Sequence, residues 1–451
     1  MVSGGGEWEL IYSEVLDRKF DFSKNGYLFR MKVFAPRVGV KVYFKLEPPQ
    51  LGNGFPPAVE VTNVSTTRTG QWEELTFDFT SLAPANNEYQ KIILLFDAGD
   101  MSSGENWYFD DIIGPSDDLS DIALFKRCLS SPVFAPDRGW NNWRSFDMAN
   151  AAILTPELSP NQKWCVYIRG SGNRYSAIGL YYQEPASFNP LGPWTEYPDN
   201  PVIRNEVIDQ HLIDCAPVVG KDGVLYHYYN DVGNGLGVAV STDGGYTFTK
   251  PLNHPVQRQT GCSDAVYHNE KYYIFHGNSN GNVSINPVAV SGQLVLYVAV
   301  TDDPLSVDIS TTYKALDVGG GPDNFDSYAV NGSRIFRLKG VEKWFMVYQG
   351  SAVHFDFPCR FHVAYSDDLI HWTKVSNHQP FFTRGKEGRW DQGGIWYGSL
   401  FEYEDKLYLY YEGYGCEQIV PNRNIAYFAN GYSSTGVASA TKADFLKWCG
   451  M

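Results

Sequence analysis

Two stretches late in the chain decide how it folds. Residues 344–350 read WFMVYQG, and residues 361–372 read FHVAYSDDLIHW. The first is an aromatic run that ends in glycine, and the second is a run of small and apolar residues that leads into a Ser-Asp turn and a tryptophan. Such runs predict two β-strands joined by a loop. Because the pair recurs along the chain, it predicts a repeat architecture.

Five copies of this unit lie between about residue 130 and the C-terminus. Each opens with a strand of small residues, as in 149–154 (ANAAIL) and 214–219 (DCAPVV). Their aromatic strands begin near Trp164, Leu225, Lys271, Trp344 and Leu407. Units of this size with about four short strands each are typical of propeller blades. The sequence therefore predicts a five-bladed β-propeller over residues 131–451.

The first 115 residues follow another pattern. Apolar and polar residues alternate in 29–33 and 72–79, and 91–96 is an almost continuous apolar run. Alternation of period two indicates strands with one packed face and one wet face. We therefore predict an all-β chain, with an N-terminal β-sandwich of the jelly-roll type in residues 1–115. The acidic turn at 114–118 begins a linker, residues 116–130, before the propeller.

Composition narrows the classes of function. Of 451 residues, 43% are hydrophobic and 19% charged, and the formal charge is −15. Such an acidic protein repels phosphate backbones and anionic lipid, so we expect neither a nucleic-acid nor a membrane partner. The first residues lack the pattern of a signal peptide. Localisation stays open between the cytoplasm and a secreted or periplasmic protein whose signal was removed, and the oligomeric state is also open.

The repeats resemble the five-bladed propeller glycosidases of glycoside hydrolase families 43, 32, 117 and 130. Residues 215–219 and 263–267 are similar to family 43, and 151–154 followed by 167–169 to family 130. Residues 107–112 (WYFDDI) are similar to the last strand of galactose-binding-like carbohydrate modules. The resemblance implies a glycoside hydrolase that cleaves an oligo- or polysaccharide, preceded by a carbohydrate-binding module.

Glycosidic hydrolysis needs one carboxyl group to protonate the leaving oxygen and a second to act as base or nucleophile. The resemblance implies Asp147 as the base, although a strict alignment of the apolar triplet places Asn150 there. Asp214 and Asp264 open the second and third repeats, and the resemblance gives them the acid and pKa-tuning roles. No glutamate stands at the strand openings. This favours Asp264 as the acid, an unusual substrate, or a degenerate enzyme.

Other residues near the strand openings are candidates for substrate binding, since guanidinium groups bind sugar hydroxyls or carboxylates and aromatic rings stack on sugars. They are Arg169, His211, His276, Asp326, Arg334, Asp391, Trp396 and Tyr397. The sequence contains no strong metal motif, and we expect no required cofactor. Asp110 and Asp111, or the carboxylates of the propeller axis, are candidates for a structural Ca²⁺ site.

Two alternatives remain at this stage. A glycoside phosphorylase of the family 130 type needs basic residues for phosphate, and only Arg169 and Arg334 are placed for that role. A non-catalytic carbohydrate-binding protein is the other alternative, and the missing glutamate favours it.

Overall fold

The structure is a computed structural model. It describes residues 2–3, 10–13, 15–16, 20, 22, 27–52, 56–82, 88–97, 106–114, 123–137, 142–172, 176–205, 211–232, 234–256, 262–277, 295–307, 311–319, 325–351, 360–375, 381–385, 389–415, 417–419, 426–428 and 433–451. Contacts divide the chain into two compact units, Met1–Asp118 and Leu119–Met451. Among the described residues, the regular secondary structure of each unit is almost entirely β-strand, as the sequence predicts.

The first unit contains eight strands among its described residues. They are β1 (Val2–Ser3), β2 (Leu10–Tyr12), β3 (Leu28–Phe34), β4 (Lys41–Glu47), β5 (Val59–Ser65), β6 (Trp72–Asp78), β7 (Lys91–Phe96) and β8 (Asn106–Ile113). They form two four-stranded sheets in the orders β1-β8-β3-β6 and β2-β7-β4-β5. Every pairing is antiparallel.

Both sheets of the first unit contribute to one hydrophobic core. Phe29 of β3 and Phe77 of β6 lie in it with Phe44 of β4 and Leu94 of β7. The alternation buries every second side chain of β3 and β6, and all of these except Glu73 lie in this core. The two sheets therefore share one set of buried side chains.

The described part of the second unit contains twenty-one strands and one α-helix. They are β9 (Lys126–Arg127), β10 (Asp147–Leu154), β11 (Trp164–Ser171), β12 (Ser176–Gln183), β13 (Thr195–Glu196), β14 (Leu212–Val219), β15 (Leu225–Asp231), β16 (Gly235–Ser241), β17 (Cys262–His268), β18 (Lys271–His276), β19 (Leu296–Thr301), β20 (Thr312–Leu316), β21 (Ala329–Arg337), β22 (Trp344–Ser351), β23 (Arg360–Ser366), β24 (Thr373–Lys374), β25 (Gly394–Tyr403), β26 (Lys406–Tyr414), β27 (Glu417–Ile419), β28 (Ala426–Phe428), β29 (Ser433–Thr441) and α1 (Lys442–Trp448). A short 3-10 helix spans Pro185–Ser187.

Apart from the hairpin β27-β28, the described strands of this unit form five sheets. Their orders are β10-β11-β12-β13, β14-β15-β16, β17-β18-β19-β20, β21-β22-β23-β24 and β25-β26-β29-β9. The first strands of neighbouring sheets are in contact from β10 to β14, β17, β21 and β25, and β25 contacts β10. These five inner strands therefore surround a common axis.

The two ends of the second unit meet in one sheet. Strand β9 pairs with β29, with Arg127 opposite Ala438 and Lys126 opposite Ser439. The sequence places β9 in the linker, but its short run of two residues completes the last sheet. Since the first strand of the unit pairs with its last, this sheet joins the two ends of the second unit and leaves fewer exposed edges.

No helix in the described part of the chain is long and apolar enough to cross a membrane.

Candidate functional site

Each of the five inner strands has one residue more than the second strand of its sheet at one point of their pairing. The register between the two strands shifts by one residue there. The shifts lie between Ala149 and Ala152, Ile213 and Ala216, Cys262 and Asp264, Asn331 and Arg334, and Trp396 and Gly398. Such β-bulges turn side chains away from the regular alternation and are common beside active sites.

The bulges hold unusual backbone conformations. Asn150, Asp214 and Tyr397 have φ angles of 52°, 66° and 35°, and Gly332 has 56°. This left-handed region is unfavourable for residues with a Cβ atom, by roughly 1–2 kcal/mol each. Residues held in such conformations by their surroundings cluster at functional sites.

Four side chains from four sheets meet at these bulges, and we call them the bulge cluster: Asn150, Asp214, Arg334 and Tyr397. The Asn150 amide donates a hydrogen bond to Asp214 Oδ1 at 2.8 Å, and Asn150 Oδ1 accepts one from Arg334. The Tyr397 hydroxyl faces Asp214 and favours its charged form. The Arg334 guanidinium lies 5.1 Å from the centre of the Tyr397 ring. The inner strands thus bring together residues up to 247 positions apart in the sequence.

A second ring of polar side chains comes from the second strands. In each sheet one residue stands opposite the residue that precedes the bulge, and all five of these residues are buried. They are Arg169, Asn230, His276, Gln349 and Glu412. We call this set the second-strand ring.

Arg169 of the second-strand ring joins two carboxylates. Its Nη2 atom lies 3.0 Å from Glu412 Oε1 and 3.9 Å from Asp147 Oδ2. Asp147 begins β10, and its Oδ1 accepts a hydrogen bond from the Ser433 N–H at 3.0 Å. The Asp147 side chain is 16% exposed, whereas that of Glu412 is fully buried. Asp147 is therefore the more accessible carboxylate of the pair.

Burial shifts the protonation of three carboxyl groups toward the neutral form. It raises the pKa of Asp264 to about 6, against the opposing effect of Arg334. It also raises the pKa of Asp214, although Tyr397, Arg169 and Arg334 favour the charged form. The pKa of Glu412 is raised by burial and by the nearby charge of Asp147, with Arg169 opposing. A buried carboxyl group that keeps its proton near neutral pH can act as a general acid.

Several buried donors near these carboxylates have no hydrogen-bond partner among the described residues. They are Nε of Arg169, Nε and Nη1 of Arg334, and Nε2 of Gln349. The acceptor Asn230 Oδ1 is also unpartnered in this part of the chain. Leaving such an atom without a partner costs about 1–3 kcal/mol, so these atoms favour a polar ligand or water beside them.

The two predicted histidines lie in different settings. His276 belongs to the second-strand ring and is fully buried, and its Nδ1 is 2.7 Å from the Gly277 carbonyl oxygen. Burial lowers the pKa of His276 to about 4, so the ring is neutral at pH 7. His211 precedes β14 and forms a 2.9 Å hydrogen bond with the Ser176 hydroxyl. Trp396 lies beside the bulge, 5.9 Å from the Tyr397 ring.

The structure does not bring Asp326 and Asp391 into the bulge cluster. Asp326 is fully buried, pairs with Lys374 of β24 and accepts a hydrogen bond from the Tyr348 hydroxyl at 3.4 Å. Asp391 is also fully buried, and its Oδ2 lies 2.6 Å from Arg127 Nε of β9. These two aspartates each tie a loop to the outer strand of their own sheet.

The aromatic residues that precede Asp326 and Asp391 pack against glycine in the same way. A Cβ atom on Gly350 would lie 2.6 Å from the Phe325 ring, and one on Gly413 would lie 2.9 Å from the Trp390 ring. The glycine that ends the aromatic strand therefore leaves room for the aromatic ring. Both aspartates directly follow these aromatic residues and form buried ion pairs. The ion pairs explain why aspartate stands at these two positions, and no bound ligand is needed to explain it.

The candidate Ca²⁺ sites have little support in the described residues. No group of three or more histidine, cysteine or acidic side chains stands close enough there to hold a metal ion. The Asp111 side chain lies outside the described residues, and Asp110 lies on β8.

Sequence reasoning missed Glu412 and Gln349 and treated Asn150 only as an alternative to Asp147. A signal for the first two is present in the sequence. The polar residue directly before the glycine that ends an aromatic strand is Arg169, His276, Gln349 or Glu412. These are four of the five members of the second-strand ring; the fifth, Asn230, is followed by Asp231 and was also missed. The position of Asn150 depends on the bulge, which has no comparable signal.

Comparisons with known proteins show the fold. No protein-family model matches the chain, and a search of curated proteins finds no match. The chain is similar to the crystal structure of an N-acetylgalactosamine deacetylase from F. plautii in complex with blood group B trisaccharide. The TM-score is 0.52 at 13% identity, over 72% of this chain and 97% of that one.

Two further solved structures show weaker similarity. A β-1,2-mannobiose phosphorylase from Listeria innocua has a TM-score of 0.49 and 13% identity, over 72% of this chain and 99% of that one. A glycosyl hydrolase from Bacteroides ovatus has a TM-score of 0.44 and 17% identity, over 70% and 94%. Of these three structures, the deacetylase alone has a TM-score above 0.5.

Proposed function

We propose that this chain is a glycoside hydrolase whose active site lies at the axis of a five-bladed β-propeller. The observation that carries the proposal is the gathering of carboxyl groups with different environments around the inner strands. Asp147 is the more accessible carboxylate, whereas Asp264 is buried and has a raised pKa. Hydrolysis of a glycosidic bond uses two carboxyl groups, one as the proton donor and the other as base or nucleophile.

The roles follow from these environments. Asp264 is the proton donor, because its pKa of about 6 keeps much of it protonated in mildly acidic solution. Asp147 is the base, because its carboxylate is accessible and oriented by the Ser433 N–H and Arg169. Asp214 accepts a hydrogen bond from Asn150, faces the Tyr397 hydroxyl and orients the site from the second inner strand.

Charge favours hydrolysis over phosphorolysis. Arg169 and Arg334 stand among four carboxyl groups, those of Asp147, Asp214, Asp264 and Glu412. Phosphate recognition needs an excess of positive charge, and Arg169 is already engaged by two carboxylates. Sugar hydroxyls are neutral and accept hydrogen bonds, so they suit the unpartnered Nε and Nη1 donors of Arg334.

The first unit fits a supporting role. We propose that it is a carbohydrate-binding β-sandwich, supported by its two sheets around one core. At its surface the Trp72 side chain is 47% exposed, and the Trp72 and Phe34 rings lie 5.8 Å apart. Aromatic rings at the surface of such modules bind the apolar faces of sugars.

The direct test is product analysis on a panel of oligosaccharides, with and without inorganic phosphate. The proposal expects reducing sugar to be released in phosphate-free buffer at a rate that phosphate does not change. Release that depends on phosphate would instead indicate a phosphorylase. Release of acetate while the glycosidic bonds stay intact would also contradict the proposal. So would sugar binding without turnover.

The pKa of Asp264 predicts the pH dependence of turnover. If Asp264 is the acid, kcat/KM should fall as pH rises through about 6, because the proton donor is then lost. The falling limb should be absent from the residual activity of the Asp264→Asn variant. A profile measured from pH 4 to 9 on both proteins checks this, and a limb that persists in the variant would assign the acid role to another group.

A further inference from the structure

Gln349 of the second-strand ring lies behind the bulge cluster, and its role is not explained by substrate contact. Its side chain is 1% exposed. Its Oε1 atom accepts a hydrogen bond at 3.0 Å from the Tyr397 N–H, in the neighbouring sheet. The bond therefore reaches from β22 to the bulge of β25.

The chain leaves space for Gln349 in a specific way. Gly332, in the bulge of β21, has a φ of 56°, and a Cβ atom there would lie 2.5 Å from both Cδ and Oε1 of Gln349. Any residue with a side chain at 332 would collide with the carboxamide group. The bulge of one sheet is thus shaped around the glutamine that holds the bulge of the next.

Tyr397 is the link between Gln349 and the carboxylate. Its φ of 35° is unfavourable for a tyrosine, so the backbone needs an external partner to stay there. From this position the Tyr397 hydroxyl reaches Asp214, and the ring lies under the Arg334 guanidinium. Removal of the Gln349 acceptor would release the Tyr397 backbone and weaken both contacts.

We propose that Gln349 is a positioning residue, which fixes the Tyr397 bulge so that the Tyr397 hydroxyl stays beside Asp214. This inference rests on the proposed function for its catalytic consequence, but its structural part can be measured without substrate.

The electrostatic surroundings of Asp214 make the effect measurable. The charged and titratable groups around it are Arg169 of β11, Arg334 of β21, Tyr397 of β25, Glu412 of β26 and the adjacent Cys215. The uncharged partners are Asn150 and Asn230. Burial already raises the pKa of Asp214, and the Tyr397 hydroxyl opposes that shift. Displacement or removal of the hydroxyl should therefore raise the pKa of Asp214 further.

The experiment compares Gln349→Met, Tyr397→Phe and the double variant with the wild-type protein. Methionine keeps the volume of glutamine without its acceptor. The readout is the titration of the Asp214 carboxyl carbon by NMR, assigned with the Asp214→Asn variant, together with kcat and KM. Both single variants should raise the Asp214 titration midpoint, and the double variant should add little, because Gln349 acts through Tyr397. On active substrates kcat should fall by roughly 10–100-fold, with a smaller effect on KM.

Gln349→Glu is the conservative control. A carboxyl group at 349 still offers an acceptor oxygen, and at pH 5 burial should keep it protonated. This variant should retain the wild-type Asp214 titration at pH values where residue 349 is neutral. If Gln349→Met does not fold, Tyr397→Phe still tests whether the Tyr397 hydroxyl affects the titration of Asp214. This variant keeps the hydrogen bond from the residue 397 N–H to Gln349 and removes only the hydroxyl.

Three results would overturn the proposal: an unchanged Asp214 titration in Tyr397→Phe, an unchanged titration in folded Gln349→Met, or fully additive shifts in the double variant. The outcome is separate from that of the proposed function. If the protein cleaves glycans but the Asp214 titration midpoint is unchanged in the variants, only the positioning role of Gln349 is wrong. If the midpoint shifts but no glycan is cleaved, the hydrolase proposal is wrong and the positioning role stands.

Discussion

The Asp264→Asn variant should lose turnover by about 10²–10⁴-fold while it remains folded, because a positioned general acid contributes that much to the rate. Asparagine has nearly the same shape as aspartate, so the Ile335 N–H can still donate its hydrogen bond to an oxygen at this position. Asp264 is 8% exposed and has a raised pKa, so the neutral amide should not destabilise the protein near pH 7. Initial rates and melting temperatures of both proteins check this.

The matched control is Asp302→Asn. Asp302 follows strand β19 of the same sheet, but its side chain is 77% exposed and pairs with Lys271 at the surface. This variant should keep the wild-type rate and stability. An Asp264→Asn protein with near-normal activity would remove Asp264 from the mechanism. Glu412 would then be the next candidate acid, because it is buried and has a raised pKa.

The Asp391→Ala variant should lower the free energy of unfolding of the second unit by about 3–5 kcal/mol, because it leaves Arg127 buried without its partner. The Asp391 side chain is fully buried and that of Arg127 is 7% exposed. The substitution also removes the acceptor of the Tyr411 hydroxyl, which lies 2.8 Å away. Since Arg127 belongs to β9, the loss should weaken the sheet that joins the two ends of the unit. Chemical denaturation monitored by tryptophan fluorescence measures the effect.

Asp367→Ala is the control for this experiment. Asp367 pairs with Lys343 at the surface, and its side chain is 73% exposed. Exposed pairs contribute about 0–1 kcal/mol, so the control should remain close to the wild-type protein. Equal stability losses in the two variants would contradict the structural role of the buried pair. A loss of activity in Asp391→Ala without any loss of stability would instead return Asp391 to the substrate site.

The repeat could be predicted because strands leave a local signal. The aromatic strand at 344–350 and the small-residue strand at 361–366 lie within β22 and β23. Asp214, Asp264 and Arg334 could also be singled out, because they stand in or beside the inner strands of successive repeats. The structure places all three near one another, as the electrostatic contacts of Arg334 show.

The positions of Asp326, Asp391 and Asn150 could not be predicted, because they depend on contacts between residues far apart in the sequence. Asp326 and Asp391 occupy strand openings in the sequence, as Asp214 does, but their partners lie 48 and 264 positions away. Whether such an aspartate faces the axis or an outer strand depends on that partner. The bulges pose a similar difficulty, since one extra residue changes which side chain turns inward, and this placed Asn150 in the bulge cluster.

The most direct test of the account is a crystal structure of the Asp264→Asn variant soaked with an oligosaccharide that the wild-type protein cleaves. We expect a sugar ring at the axis of the inner strands. One of its hydroxyls should contact Arg334, and the bond to be cleaved should lie between Asp147 and residue 264. A sugar bound elsewhere on the second unit, with the bulge cluster unoccupied, would contradict the assignment of the active site.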